Sequence, residues 1–225
     1  MKTMCRTEEE TTYFIITDVD TLYLDAIQGL RFEQVDEGFT RAFPAKSPNI
    51  DAIYQNFALH IEEVVLQAAG IHLVPWEQAL LAFIHRVEQQ RDINWWLAGS
   101  TALAVRELEV MPHDIDLILD DEGTHKVGEL LFDCLIEPIQ DSRGWVSNWF
   151  GRAFMNARIE WVGGVDANVD TPVVSDFGPI ASSRLETITW HGHEIRVPPL
   201  NLQLKVSERR GLIERVEMIK RAMYF

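Results

Sequence analysis

Two short segments of the chain contain groups that could bind phosphate and a metal ion. The first is Gly99-Ser100, which follows an apolar stretch and precedes a predicted helix. A glycine lets a ligand approach the backbone, and a helix N-terminus presents unpaired N–H groups with partial positive charge. The second is Asp114-Ile115-Asp116, in which both carboxylates point to one side of a predicted strand and can hold Mg²⁺. Together they predict a phosphate-bearing ligand held against a metal ion.

Neither segment is specific by itself. A Gly-Ser turn is common between a strand and a helix, and this acidic chain has a second Asp-x-Asp pair at Asp18 and Asp20. Two neighbouring carboxylates repel each other and need either a cation or full solvation. The combination is more informative, because chance seldom supplies a strand, a Gly-Ser turn, a short helix and an Asp-x-Asp strand in this order.

The elements that must position these residues belong to an α/β part that starts near residue 91, where short apolar segments alternate with helices. A strand at 93–98 is predicted to end at Gly99, and Ser100 to cap a helix over 101–108. The remaining predictions are strands at 115–119, 145–154 and 157–162, a helix at 122–134, a hairpin of 187–190 and 194–197, and closing helices at 200–208 and 212–223.

Residues 1–90 are predicted to form an N-terminal, largely helical extension to a domain over 91–225. A strand at 13–16 precedes two helices. Ser47 is expected to cap the first helix, with Pro48 in its first turn, and Gly70 to end it. The second helix follows Pro75. The faces predicted to be buried consist of Ile50, Ile53, Phe57, Ile61 and Val64 in the first helix and Leu80, Leu81, Ile84 and Val87 in the second.

The overall charge limits the partners. The 225 residues carry a formal net charge of −15 with 47% hydrophobic residues, which is a globular composition with an acidic bias. An acidic surface disfavours generic binding of DNA or RNA and suits a cationic small molecule better. The cations that cluster lie near the C-terminus: Lys205, Arg209, Arg210, Arg215, Lys220 and Arg221.

The sequence contains few features that indicate the cellular compartment. Cys5 and Cys134 imply no disulfide framework. Apolar runs are too short for a membrane span or a signal-peptide core. We therefore expect a cytoplasmic protein without a membrane partner.

The motifs resemble those of the polymerase-β-like nucleotidyltransferase superfamily, whose members share a Gly-Gly or Gly-Ser turn followed by Asp-x-Asp on a strand. The segments 96–100 and 113–117 are most similar to the small lincosamide and aminoglycoside nucleotidyltransferases and related toxin-type enzymes. The hairpin at 187–192, Val197-Pro198 and a helix with Lys205 and Arg209 resemble the tail of that group. The resemblance covers about residues 90–220.

The resemblance implies an α/β (α+β) nucleotidyltransferase fold, in which helices flank a mixed β-sheet. It implies transfer of a nucleoside monophosphate from an NTP to an acceptor hydroxyl, with release of pyrophosphate. Asp114 and Asp116 would hold two Mg²⁺ ions, which suits in-line displacement at phosphorus. The acidic balance favours a cationic small molecule over an RNA or protein acceptor. The N-terminal helices are expected to complete the acceptor cleft or to form a homodimer interface.

The superfamily also uses a third carboxylate from a later strand, and Glu160 is our choice. In a strand at 157–162, Ile159 and Trp161 would face the core and Glu160 the opposite side. Glu160 could bind the metal or help to deprotonate the acceptor hydroxyl. Asp166 and Glu186 are the alternatives.

Nucleotide contacts are predicted at Gly99 and Ser100, and on the helix near the C-terminus. Lys205 follows several leucines and could reach a triphosphate, and Arg209 lies one helical turn beyond it. An ordinary solvated helix face explains these two cations equally well.

Two other functions compete with nucleotidyl transfer. One is a catalytically inactive domain of the same fold that binds a nucleotide or a protein. The other is a haloacid-dehalogenase-like phosphatase, because the segment 14–22 resembles the nucleophile motif of that family around Asp18 and Asp20. Thr21 follows Asp20 directly, whereas the family places one residue between them, and a surface strand or turn is the preferred interpretation.

Overall fold

The N-terminal part contains a sheet as well as helices. A computed structural model of the protein describes residues 1–90, 92–142 and 146–224. A four-stranded antiparallel sheet has the order β1-β2-β4-β3, and its strands are β1 (Lys2–Glu8), β2 (Thr11–Thr17), β3 (Glu33–Val35) and β4 (Gly38–Pro44). Helix α1 (Leu24–Gly29) lies between β2 and β3. Of these strands, the sequence predicts only the one at 13–16, because β1 and β3 are almost fully exposed and lack an apolar alternation.

Two longer helices follow, α2 (Ile50–Ala68) and α3 (Trp76–Val87). Most of the predicted apolar positions are buried, whereas Ile50 and Leu81 are only partly so. The predicted cap is wrong. Asn49 directly precedes α2 in a left-handed conformation without a capping hydrogen bond, and Ser47 instead closes a turn by donating its N–H to the carbonyl of Pro44 at 2.9 Å.

A five-stranded mixed sheet forms the centre of the molecule. Its strands, in the order β5-β6-β9-β8-β7, are β5 (Trp95–Leu97), β6 (Ile115–Leu119), β7 (Leu135–Asp141), β8 (Ser147–Met155) and β9 (Ala157–Val165). Strands β6 and β9 run parallel, and the other neighbours are antiparallel. The predicted mixed sheet flanked by helices is thereby confirmed. Trp145, the first residue of the predicted strand 145–154, lies outside the described residues.

Strand β7 was not predicted and contains Pro138. Because β7 is the edge strand, a residue without an N–H is tolerated there. The other elements are α4 (Gly99–Ala104), α5 (Asp121–Leu130), α6 (Pro179–Ser182), α7 (Leu200–Arg209), α8 (Ile213–Tyr224) and a hairpin of β10 (Glu186–Trp190) and β11 (His193–Val197). The hairpin confirms the prediction, and its turn residues His191 and Gly192 both have a positive φ.

Alternate side chains on the central strands point to opposite faces. Ile115, Leu117 and Trp161 join one large buried cluster that includes residues of the N-terminal sheet, α2, α3 and α5. Ile118 belongs to a second, smaller cluster with Leu202 of α7. The residues that alternate with the large cluster therefore face the side on which α7 lies. No helix in the described ranges is long and apolar enough to cross a membrane.

Candidate active site

Three carboxylates meet on the α7 side of the central sheet. Asp114 directly precedes β6, Asp116 lies on β6, and Glu160 lies on β9. The parallel pairing of these strands places Asp116 opposite Glu160. One carboxylate oxygen from each of the three residues lies within 4.8 Å of the other two. Carboxylate oxygens are the preferred protein ligands of hard divalent cations, so this triad could hold a metal ion.

Glu160 occupies the place that the strand pattern predicts. Its neighbours Ile159 and Trp161 are buried in the large core cluster, and its own side chain faces the aspartates. The two alternatives have other partners. Glu186 accepts a hydrogen bond from Arg106 at 2.5 Å, and Asp166 accepts one from the backbone N–H of Asn168 at 2.7 Å.

Asp116 is the carboxylate of the triad without a direct cationic partner among the described residues, although the charge of Arg158 partly offsets the repulsion from its neighbours. Its side chain makes no hydrogen bond or ion pair with the described residues. Burial, followed by repulsion from Asp114 and Glu160, raises its pKa well above the ordinary value. A cation at this position would favour the ionised form of Asp116. The donor atoms and the unbalanced charge therefore both fit a divalent metal ion.

Glu160 is held ionised by two arginines. Burial alone would raise its pKa, but Arg152 and Arg158 outweigh that effect and hold the pKa below its usual range. The Arg152 Nε lies 2.8 Å from Glu160 Oε1, and the Arg158 Nε lies 3.0 Å from the same oxygen. Arg158 also forms an ion pair with Asp114. Neither arginine was predicted from the sequence, although Arg158 is two residues from Glu160 and so faces the same side of β9.

Gly99 approaches this carboxylate triad closely. Its φ is +61°, and a Cβ atom on this residue would lie 2.1 Å from Oδ2 of Asp116. Only a glycine leaves room for the carboxylate. Helix α4 begins at Gly99, preceded by Ala98 without a side-chain cap. The predicted capping role of Ser100 is therefore wrong, because this buried serine lies inside the first turn.

Two members of the triad, Asp116 and Glu160, line a cleft of about 350 Å³ from the sheet. The cleft is also lined by three arginines from the end of α7 and the start of α8, which are Arg209, Arg210 and Arg215. Gln203 is buried in the same cleft and donates a hydrogen bond to the carbonyl of Gly99 at 3.1 Å. Its Oε1 has no partner among the described residues, so it is available to a donor group on a ligand.

Charges in the cleft influence one another. Burial raises the pKa of Asp176, and the arginines at 209, 210 and 215 oppose that rise. Burial also lowers the pKa of Arg215, as does the neighbouring Arg210, whereas Asp176, Asp116 and Asp114 raise it. The cleft thus combines an acidic floor with a basic wall.

Of the two cations predicted on α7, only one lines the cleft. Arg209 does, and its Nη1 donates to the carbonyl of Val174 at 3.3 Å. Lys205 is exposed and is absent from the lining. Arg210 and Arg215 line the cleft instead. The sequence shows them as members of the C-terminal cationic cluster, but it does not show which face each of them occupies.

Comparison with known proteins gives two similar solved structures. No protein-family model and no curated protein matches the chain. One structure, described as a candidate nucleotidyltransferase from Thermotoga maritima, is 20% identical with a TM-score of 0.49, over 64% of this chain and 90% of the other. The second is the aminoglycoside nucleotidyltransferase ANT(2″)-Ia in complex with adenylyl-2″-tobramycin. It is 13% identical with a TM-score of 0.44, over 65% of this chain and 89% of the other. Both bear the name of the group that the motifs resemble.

The segment that resembles a phosphatase motif forms a surface turn. Asp18 pairs with the exposed Lys2 at 2.7 Å. Asp20 accepts a hydrogen bond from the backbone N–H of Leu22 at 2.9 Å and so caps a short 3-10 helix. Both aspartates therefore have structural partners, as the surface-turn interpretation expects.

Proposed function

We propose that this protein is a nucleotidyltransferase, which transfers a nucleoside monophosphate from an NTP to an acceptor hydroxyl and releases pyrophosphate. The observation that carries this proposal is the cleft that Asp116 and Glu160, two members of the carboxylate triad, share with the three arginines. A metal–triphosphate complex has cationic and anionic groups side by side, which matches a floor of carboxylates next to a wall of guanidinium groups.

The reaction breaks one bond and forms another at the α-phosphorus. The acceptor hydroxyl gives up its proton to water, its oxygen bonds to this phosphorus, and the bond to the oxygen that bridges to the β-phosphate breaks. Asp114, Asp116 and Glu160 would hold Mg²⁺, and we propose two ions, which would neutralise the negative charge that develops at the reacting phosphate. Because the pKa of Glu160 is low, this residue is better suited to bind metal than to accept a proton.

The chain supplies further groups for the triphosphate. We propose that Arg209, Arg210 and Arg215 bind its oxygens, since guanidinium groups suit phosphate geometry. The Gly99-Ser100 turn lies close enough to Asp116 to place phosphate beside the metal. A contact between Lys205 and the triphosphate stays a prediction, as does the role of the region 91–225 as the catalytic domain.

We propose that the N-terminal sheet completes the acceptor side. A cavity of about 220 Å³ is lined by Thr40 and Arg41 of β4 and by Gln140 of β7, and it shares Phe150 with the cleft. The acidic surface favours a cationic small molecule as acceptor, and RNA or protein acceptors remain alternatives. A homodimer interface and a cytoplasmic location stay predictions.

Transfer of label from [α-³²P]NTP tests the proposal. The protein is incubated with each of the four NTPs, Mg²⁺ and candidate acceptors, and pyrophosphate release is measured in parallel. We expect both signals to disappear in Asp116→Asn and to persist in Asp25→Asn, which removes an exposed carboxylate on α1.

The test also separates the proposal from the binding-module alternative. A folded wild type that binds NTP and Mg²⁺ but transfers no label to any acceptor or to water would favour an inactive nucleotide-binding domain. A folded wild type that binds neither NTP nor Mg²⁺ would refute the proposal. The convergence of three carboxylates already counts against the inactive domain, because binding a nucleotide alone does not require all of them.

A further inference from the structure

One cation already touches two of the three carboxylates. Arg158, on β9, forms an ion pair with Asp114, and its Nε lies 3.0 Å from Oε1 of Glu160. Its side chain is only 14% exposed, so solvent screens these contacts little. The guanidinium therefore occupies part of the space that a metal ion would fill, and it neutralises part of the negative charge that would attract the ion.

Arg158 lies near the end of an alternating series of charges. The series, formed by successive ion pairs, consists of Arg41, Glu137, Arg152, Glu160, Arg158 and Asp114. Arg152 is buried between Glu137 and Glu160, and these two carboxylates compensate its charge inside the protein. Arg158 differs because both of its partners belong to the proposed metal site.

We propose that Arg158 is a built-in counter-charge that competes with the metal ion for Asp114, an inference that rests on the proposed function. Without metal, the guanidinium reduces repulsion among the carboxylates. A divalent cation that takes Asp114 as a ligand must overcome this ion pair and the repulsion between two positive groups. Arg158 therefore stabilises the metal-free protein and lowers its affinity for metal.

The opposite role would give the opposite result. If Arg158 oriented Asp114 for metal binding, its removal would weaken metal affinity, as loss of a supporting residue usually does, by about 10–100-fold. If Arg158 competes with metal, its removal tightens binding instead. The direction of the change in Kd therefore distinguishes the two roles.

Binding of Mn²⁺, followed by electron paramagnetic resonance of the free ion, measures this direction. Asp116→Asn gives the background from other acidic groups on the surface. We expect Arg158→Gln to lower the Kd for Mn²⁺ by about tenfold, since one neighbouring charge commonly changes the affinity of a carboxylate for a cation by that factor or more. We expect Arg158→Lys, which keeps the charge, to stay close to the wild type.

Arg106→Gln is the matched control. Arg106 is 12% exposed and pairs with the half-exposed Glu186, so the substitution removes a guanidinium as buried as that of Arg158 but outside the triad. It should lower the melting temperature without changing the Kd for Mn²⁺. Arg158→Gln should lower the melting temperature in EDTA. Addition of Mn²⁺ should raise the melting temperature of this variant by more than it raises that of the wild type.

A second measurement uses the wild type and does not depend on the folding of a variant. Side-chain ¹⁵N NMR of the arginines follows the Arg158 guanidinium, identified by its loss in Arg158→Lys. Its signals should shift when Mg²⁺ saturates the site, because the metal ion then binds Asp114 and the ion pair with Arg158 is lost. An unchanged Arg158 signal at saturation, or an unchanged or raised Kd in Arg158→Gln, overturns the inference. A wild type without Asp116-dependent Mn²⁺ binding refutes the proposed metal site itself, whereas a raised Kd leaves that site intact.

Discussion

At the scale of single residues, the carboxylate triad distributes its charge unevenly. Asp114 and Glu160 have arginine partners, whereas Asp116 has none among the described side chains. An unpaired, partly buried carboxylate next to two others costs stability when it is ionised. Such a cost is expected where a bound cation restores the balance, so Asp116 is the residue that should report most directly on metal binding.

The raised pKa of Asp116 predicts a dependence of stability on pH. The folded protein binds the Asp116 proton more tightly than the unfolded chain does, since the pKa in the fold lies well above 3.8. Stability from this group is therefore present at low pH and is lost as pH rises from 3.8 through the raised pKa. In EDTA at pH 7.5, Asp116→Asn should raise the free energy of unfolding by about 1 kcal/mol, as measured by urea denaturation.

Addition of Mg²⁺ should reverse this order. The wild type should gain stability with Mg²⁺ and Asp116→Asn should not, because only the carboxylate binds the ion. Equal stabilisation of both proteins by Mg²⁺ would mean that the ion binds elsewhere on the acidic surface.

Gly99 gives a second prediction at this scale. In Gly99→Ala the new methyl group would meet the Asp116 carboxylate, and the left-handed backbone would be strained as well. Gly192 also has a positive φ, but an added Cβ would have nothing within 4 Å. We expect both substitutions to Ala to cost roughly 1–2 kcal/mol of stability from backbone strain, and only Gly99→Ala to weaken Mg²⁺ and NTP binding.

Isothermal titration with Mg²⁺ and with a non-hydrolysable NTP analogue checks this expectation. Normal binding by Gly99→Ala would show that the turn does not need to approach Asp116. Impaired binding by Gly192→Ala would point to a general loss of structure.

At the scale of elements, the strand pattern accounts for part of the site. The alternation of Ile159, Glu160 and Trp161 correctly placed Glu160 opposite the core, because the side-chain period of a strand is independent of the rest of the fold. The contacts of Arg152 and Arg158 depend on the pairing of β9 with β8 and β6 and on burial. One strand alone carries no information about these neighbours.

The same reasoning explains which elements were missed. Strands β1 and β3 are exposed and rely on pairing with neighbours, so no apolar periodicity marks them. The start of α2 was misplaced because a local turn at Ser47 uses the same residue types as a helix cap.

The prediction at the scale of elements concerns the arginines at the junction of α7 and α8. Arg215→Gln should raise the Kd for the NTP analogue by about 10–100-fold, since a charge-assisted hydrogen bond to phosphate contributes roughly 1.5–3 kcal/mol. Lys205→Gln removes a cation from the exposed part of α7, outside the cleft lining, and should raise the Kd much less than Arg215→Gln does. Isothermal titration at two salt concentrations measures both. Equal weakening by the two substitutions would place the triphosphate on the exposed face of α7, as the original expectation for Lys205 requires.

At the scale of the whole molecule, buried charges connect the N-terminal sheet to the site. Arg41 of β4 pairs at 2.7 Å with Glu137 of β7, Glu137 pairs with Arg152 of β8, and Arg152 pairs with Glu160 of β9. Buried apolar residues of both regions also belong to one cluster. The N-terminal part thus supports the position of the third carboxylate, so its stability and that of the proposed active site should be linked.

Glu137→Gln tests this link. Glu137 is 1% exposed and Arg152 is 2% exposed, so loss of the glutamate charge leaves a buried cation with too little compensation. We expect the free energy of unfolding to fall by about 3–5 kcal/mol in urea. Asp133→Asn, which breaks an exposed ion pair with Arg86, should cost at most about 1 kcal/mol.

The link also predicts how the molecule unfolds. If the charge series and the shared core join the two regions, the fluorescence of Trp76, which begins α3 and stacks on Trp190 of the hairpin, should change together with the far-ultraviolet circular dichroism. Both signals should report one common transition in Glu137→Gln, shifted to lower urea. Because seven tryptophans contribute to the emission, Trp76→Phe in the same background identifies its share. A separate early transition of the N-terminal part with an unchanged affinity of the triad for Mn²⁺ would show that the two regions are independent. In folded Glu137→Gln, Arg152 keeps Glu160 but loses the carboxylate that joins it to Arg41 of the N-terminal sheet. A lower Mn²⁺ affinity of this variant would show that the N-terminal sheet helps to set the geometry of the site.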